Sequence, residues 1–157
     1  MAIRAVSFRV GEKVSWGVTT DGVGIADLGA RYGGSVLERL TRGQGIASLA
    51  DLADQQSPDV AVTDVVLLPP VVCGPKIICI GVNYANRNAE YKDKSPDPEW
   101  PSLFMRGQES FTGSGQNLWR PPESPQLDYE GETVMVVGRA GHRIAGAKAM
   151  ELVAGYI

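Results

Sequence analysis

The sequence predicts an α+β protein, and three observations carry that reading. Apolar residues alternate with polar ones in short runs near the N-terminus, two segments with helical apolar spacing follow, and glycine and proline are abundant. The 157 residues include 19 Gly and 10 Pro, which favours turns and short strands over long helices.

Val6, Phe8 and Val10 alternate with polar positions until Gly11-Glu12 interrupts them; Val14, Trp16 and Val18 alternate next. Asp21-Gly22 supplies a turn, and Val23, Ile25 and Ala26 resume. Side chains alternate faces along a strand and Asp-Gly is a strong turn signal, so this stretch predicts an antiparallel meander. Ser35 is placed to cap a helix carrying Val36, Leu37 and Leu40, with Gly43 as its stop. Ile46, Leu49, Leu52 and Ala53 recur at helical spacing until Ser57-Pro58. Val62 to Leu68 reads as strand, and Pro69-Pro70 as a stiff exit. Residues 1–70 are therefore expected to form a small α+β domain, with 71–157 belonging to something else.

The second region opens on Ile77 to Ile80, a short strand running into Gly81. Asn83 to Lys94 suits a polar helix or a loop, after which Pro96, Pro98 and Pro101 impose extended or turn structure. Ser102 to Arg106 reads as strand and Phe111 to Gln116 as a glycine-rich turn. Leu127 to Gly138 is expected to be a strand, Gly138 to Arg143 a turn, and Ala145 to Ala154 a helix stopped by Gly155.

Composition removes several classes of function. Fifteen Lys and Arg against 18 Asp and Glu give a net charge of −3, with no nucleic-acid signature. Cys73, Cys79 and the single His142 are too few and wrongly spaced for a zinc site; the cysteines read as buried thiols near a strand, and His142 as a solvated turn residue. Met1 to Val10 lacks the continuous apolar run of a signal peptide, and Val65 to Cys73 is short and broken by prolines. A reducing, cytoplasmic setting without membrane contact is expected. Gly113-Ser-Gly115-Gln-Asn-Leu118 lacks the third glycine of a dinucleotide fingerprint, and no Gly-x-Ser-x-Gly elbow occurs.

The informative segment is Asp128-Tyr-Glu-Gly-Glu-Thr-Val-Met-Val-Val-Gly138. On a strand, Glu130, Glu132, Val134 and Val136 would share one face, and the apolar residues on both faces beyond Glu132 predict burial on both sides. Two carboxylates about 7 Å apart on one face repel each other and are costly to desolvate. A divalent cation resolves that conflict; a strand end protruding into water resolves it equally well.

Neighbouring motifs favour the metal. Lys76-Ile-Ile-Cys-Ile-Gly-Val-Asn-Tyr-Ala-Asn-Arg-Asn-Ala-Glu90 resembles the strand-plus-lid opening of the fumarylacetoacetate hydrolase family. Pro101-Ser-Leu-Phe-Met-Arg106 with Ser110 resembles its next strand, Asp128 to Gly138 its metal strand, and Leu152-Val-Ala-Gly-Tyr156 the helix exit after it. Ser15-Trp-Gly-Val18 and Leu67-Leu-Pro-Pro70 resemble the N-terminal domain that many members carry. Four motifs in order make the resemblance specific.

The resemblance implies a mixed β-roll core after the small α+β domain, of which this chain holds the beginning. It implies that Glu130 and Glu132 bind Mg²⁺, alternatively Mn²⁺ or Ca²⁺, together with an aspartate just past Ile157, and that the metal engages a 2-oxo or 1,3-dicarbonyl acid. Glu90 matches a lid glutamate that activates water with a histidine three residues earlier, but that position here is Arg87, which stays protonated and cannot act as a base. Arg87 would then bind an extra substrate carboxylate, Glu90 would act alone, or the reaction would not be hydrolysis; a surface ion pair between the two is the plainer alternative. Arg106 matches a basic position suited to a substrate carboxylate, with Ser110 assisting, or is a strand-end charge in water. The activity implied is hydrolysis of a C–C bond in an acylpyruvate-like or fumarylacetoacetate-like acid, as in aromatic-compound catabolism, by a homodimer. The alternatives are a decarboxylase, hydratase or isomerase of a related 2-oxo acid, or a non-catalytic piece with a packing or dimerisation role.

Overall fold

The structure is a computed structural model that describes residues 3–54, 57–71, 76–84, 86–92, 94–96 and 98–157. It is α+β, and its residues group into two compact units: Met1–Val72 with Thr112–Ile157, and Cys73–Phe111.

The meander forms as expected. Strands β1 (Arg4–Val10), β2 (Lys13–Thr19) and β3 (Gly24–Asp27) pair antiparallel in sequence order. Val10 faces Lys13 across a two-residue loop whose first residue, Gly11, has φ 57, a left-handed conformation that glycine adopts without steric cost. The next turn is shaped by Asp21, whose Oδ1 accepts from the Val23 and Gly24 amides at 2.8 and 3.1 Å. Those two hydrogen bonds hold its carboxyl below the usual carboxylate range. Strands β4 (Val60–Ala61) and β5 (Val66–Leu68) add to the two edges, giving the order β4-β3-β2-β1-β5. The expected strand over 62–68 is thus shorter, because a helical turn occupies Val62–Asp64.

Helix α1 (Leu28–Tyr32) is capped by Asp27, whose side chain accepts from the Ala30 amide. Helix α2 (Val36–Arg39) is capped by Ser35, which accepts from the Glu38 amide as the sequence predicts. The helical path does not stop at Gly43: it widens over Leu40–Gln44 and ends at Gly45, where φ is 56. A turn at Ile46–Leu49 leads into α3 (Ala50–Asp54). Trp16, Val18, Ala26, Leu28, Val36, Leu40 and Leu49 form one buried cluster between sheet and helices. Trp16 also donates its indole N–H to the Gly33 carbonyl at 2.9 Å, which satisfies its polar atom.

The second unit is built on β6 (Ile78–Gly81) and β7 (Ser102–Met105), paired antiparallel, with the short helix α4 (Arg87–Glu90) between them in sequence. Both strands match the sequence reading. Cys79 lies half-buried on β6 rather than fully buried, and Cys73 lies outside the described residues.

Residues 112–157 belong to the first unit and depart most from expectation. The strand expected over 127–138 is confined to β8 (Met135–Val137), and the helix expected over 145–154 is α5 (Gly146–Ala149) followed by a turn at Met150–Leu152. From there β9 (Val153–Tyr156) pairs antiparallel with β8. The ladder partner of β8 comes from residues whose spacing also suits a helix, and Val134 and Ile157 exchange backbone hydrogen bonds beside it at 3.0 and 2.9 Å. Nor is β8 buried on both sides: Val136 packs with Ala154 into the core cluster, while Met135 and Val137 are exposed.

Candidate active site

Glu130 and Glu132 precede β8 in the chain, outside the β8–β9 ladder, and both are exposed. Their position is set from one side by Val136, four residues after Glu132, which is anchored in the core of the first unit. Gly138 reinforces the anchor, since a Cβ there would meet Ala154 Cβ at 2.5 Å and Leu40 O at 3.1 Å. Gly131, between the two carboxylates, has nothing within 4 Å of a Cβ built on it. Two exposed carboxylates supply hard oxygen donors, a set that suits Mg²⁺ or Ca²⁺ with waters completing the shell. Among the described residues no group of three His, Cys, Asp or Glu side chains gathers within metal-binding reach.

The other candidates belong to the second unit. Arg87 and Glu90 share the single turn of α4, at the i,i+3 spacing that places side chains on neighbouring positions of one face. Arg87 is partly buried, with its guanidinium carbon 4.7 Å from the centre of the Tyr91 ring, a cation–π distance. Its Nη1 donates to Asn88 Oδ1 at 3.4 Å, and Asn88 Nδ2 donates to the Ser95 carbonyl at 3.1 Å. Glu90 is exposed.

Arg106 follows β7, its amide donating to the Ile77 carbonyl at 3.1 Å, and its guanidinium lies 5.2 Å from the Phe104 ring centre. Ser110 closes its own turn, donating its hydroxyl to the Gly107 carbonyl at 2.7 Å. That bond uses the proton Ser110 would offer a substrate, leaving its oxygen as an acceptor. Asn88 and Tyr91 were missed by sequence reasoning, because a polar residue on a short polar helix gives no sign of burial. His142 sits exposed in a bend, as the sequence suggests. Among the described residues, no helix is long and apolar enough to cross a membrane.

Residues 76–157 match the family model described as fumarylacetoacetate (FAA) hydrolase C-terminal. The chain is 32% identical over 140 residues to the mitochondrial oxaloacetate tautomerase FAHD2A of Bos taurus, covering 87% of this chain and 44% of that protein. It is 32% identical over 134 residues to the oxaloacetate tautomerase YisK of Bacillus subtilis, covering 78% of this chain and 44% of that one. A solved fumarylacetoacetate hydrolase from psychrophilic Exiguobacterium antarcticum superposes with a TM-score of 0.70 at 27% identity, covering 99% of this chain and 54% of that chain. The chain thus spans about half the length of the relatives it matches, or less. The family model covers more than half of its residues, and the chain belongs to the fumarylacetoacetate hydrolase family.

Proposed function

We propose that this chain carries two metal-binding carboxylates and the substrate-gripping segment of an enzyme that interconverts the keto and enol forms of a 2-oxo acid. The observation that carries the reading is Arg87, a permanent cation stacked on Tyr91 one turn before Glu90. The place where the family resemblance implies a water-activating histidine offers no base. Tautomerisation needs no activated water. A carboxylate takes a proton from the carbon beside the oxo carbon, the C–H electron pair forms the C=C bond, and the carbonyl oxygen gains the π pair and a proton. Glu90 is the proposed base, and Arg87 and Arg106 are the proposed contacts for substrate carboxylates, with Ser110 an accepting neighbour. The names of the relatives in Bos taurus and Bacillus subtilis, both oxaloacetate tautomerases, support the same reading.

Mg²⁺ is the proposed cofactor, with Mn²⁺ or Ca²⁺ as alternatives and Glu130 and Glu132 as its ligands. The chemistry such an ion supplies when bound is polarisation of the 2-oxo carbonyl. In antiparallel pairing each step back along one strand is a step forward along the other. In a polypeptide continuing past Ile157, the register that pairs Val134 with Ile157 would therefore set Glu132 opposite the second added residue and Glu130 opposite the fourth. The expected aspartate ligand belongs in that stretch.

A second reading, hydrolysis of a C–C bond in an acylpyruvate-like or fumarylacetoacetate-like acid of aromatic catabolism, is supported by the solved relative's name. There Glu90 would act on water without a histidine. The full-length protein decides between them. Mg²⁺-dependent decay of the oxaloacetate enol absorbance with no change of mass supports the tautomerase. Products split with water added support the hydrolase, and loss of CO₂ supports a decarboxylase. No turnover of any of these acids would refute both enzymatic readings. Homodimerisation is part of the proposal and is read by light scattering.

A further inference from the structure

We propose that the first unit holds a binding site for inorganic phosphate, built from Ser35, Glu38, Arg39 and Arg42. It shares no residue with the candidate active site and is independent of the tautomerase reading. A cavity of about 90 Å³ lies at α2, walled by Trp16 and Tyr32 and by those four side chains. A single water needs only about 10–15 Å³, so a tetrahedral oxyanion has room. Arg39 carries its charge into the protein: its Nε is buried without a hydrogen-bond partner, and its guanidinium carbon lies 6.0 Å from the centre of the Tyr32 ring. Neither Arg39 nor Arg42 forms an ion pair among the described residues, where the one such pair is Arg31 with Asp59. A partly buried arginine without a counter-charge is costly, and an oxyanion in the cavity supplies one.

Ser35 adds a neutral donor. Its Oγ accepts from the Glu38 amide at 3.2 Å, which leaves the hydroxyl proton for an ion. Glu38 decides which ion. Its carboxylate lines the same cavity and repels an anion that has no proton to give. Hydrogenphosphate has one: it donates that O–H to Glu38 while its other oxygens accept from Arg39, Arg42 and Ser35. Sulfate has the same shape but no proton at neutral pH, so it meets Glu38 unpaired. Arg39 and Arg42 flank Leu40 in sequence, which is buried in the core cluster and whose carbonyl would lie 3.1 Å from a Cβ built on Gly138. An ion held by both arginines therefore steadies this packing and is read as a rise in Tm.

The test uses the full-length protein in metal-free buffer, with phosphate, sulfate and chloride compared at equal ionic strength. Wild type should take up phosphate in titration calorimetry, with a rise in Tm that chloride does not give. Arg42 is exposed and can change without opening the core. Arg42→Gln should weaken phosphate binding about tenfold or more, the loss expected for one charge-assisted hydrogen bond. Wild type should bind sulfate at least about fivefold more weakly than phosphate, and Glu38→Gln, whose carboxamide can donate to either ion, should bring the two within about twofold. Four results would overturn the site: phosphate binding no stronger than chloride, wild-type affinity in Arg42→Gln, sulfate matching phosphate in the wild type, or an undiminished preference in Glu38→Gln. None of them bears on the tautomerase reading.

Discussion

Replacing Gly113 with alanine should loosen the packing of the segment that carries the carboxylates against the N-terminal sheet. Gly113 is buried, and a Cβ added there would meet the Leu67 backbone at 2.5 Å from its carbonyl carbon and the Gln116 amide nitrogen at 2.7 Å. Leu67 is a residue of β5, paired with Phe8 of β1, so its carbonyl cannot move without shifting the sheet edge. Gln116 Nε2 donates to that same carbonyl, and the new methyl would push the two apart. Overpacking a well-filled site costs about 1–3 kcal/mol, and a contact with backbone belongs at the upper end. Losing the Gln116 hydrogen bond adds about 1 kcal/mol, for a total of about 3–4 kcal/mol. In urea denaturation this reads as a midpoint lower by about 1–4 M at the slopes of about 1–3 kcal/mol per M usual for small proteins. Gly131→Ala is the control, since its Cβ meets nothing within 4 Å and should leave the midpoint unchanged. A Gly113→Ala midpoint within error of wild type, or an equal fall in Gly131→Ala, would refute the reasoning.

Two further outcomes are expected. The Asp59 carboxyl is held below its ordinary value by the hydrogen bond from the Asp27 amide and, more weakly, by Arg31, against burial that raises it. A carboxyl whose folded pKa is depressed stabilises the fold above the unfolded value of 3.8, and that stability is lost as pH falls through the folded one. Asp59→Asn should therefore cost less than about 1 kcal/mol at neutral pH, given its partial exposure, and flatten the fall of Tm below about pH 4; an unaltered acid limb contradicts this. Arg87→His should introduce a new limb near about pH 6.5 in kcat/KM for oxaloacetate, because histidine titrates there and arginine does not. An unchanged profile would remove Arg87 from the substrate's surroundings.

The meander, the Ser35 cap and strands β6 and β7 were legible because each is decided by neighbours in sequence: alternation, a turn dipeptide, a hydroxyl ahead of a helix. In the carboxylate segment, Glu130, Glu132, Val134 and Val136 satisfy the strand period, and the strand that period predicts is present over Met135–Val137. Residues 145–154 satisfy the helical period, yet Val153 and Ala154 gain more by pairing with β8 and filling the core beside Val136 than by prolonging a short helix. For the site, residue types and their order marked Glu130, Glu132, Arg87 and Glu90. What they touch was hidden: Asn88 is buried and donates to the Ser95 carbonyl, and the Arg87 guanidinium lies over the Tyr91 ring.

The account stands on Glu130 and Glu132 as metal ligands, and titration calorimetry of Mg²⁺ into the full-length protein tests that most directly. Wild type should bind one ion per chain, and Glu130→Gln and Glu132→Gln should each weaken binding by at least about tenfold while Tm in the absence of Mg²⁺ stays unchanged. Wild-type affinity in both variants, or no Mg²⁺ binding by the wild type, would contradict it.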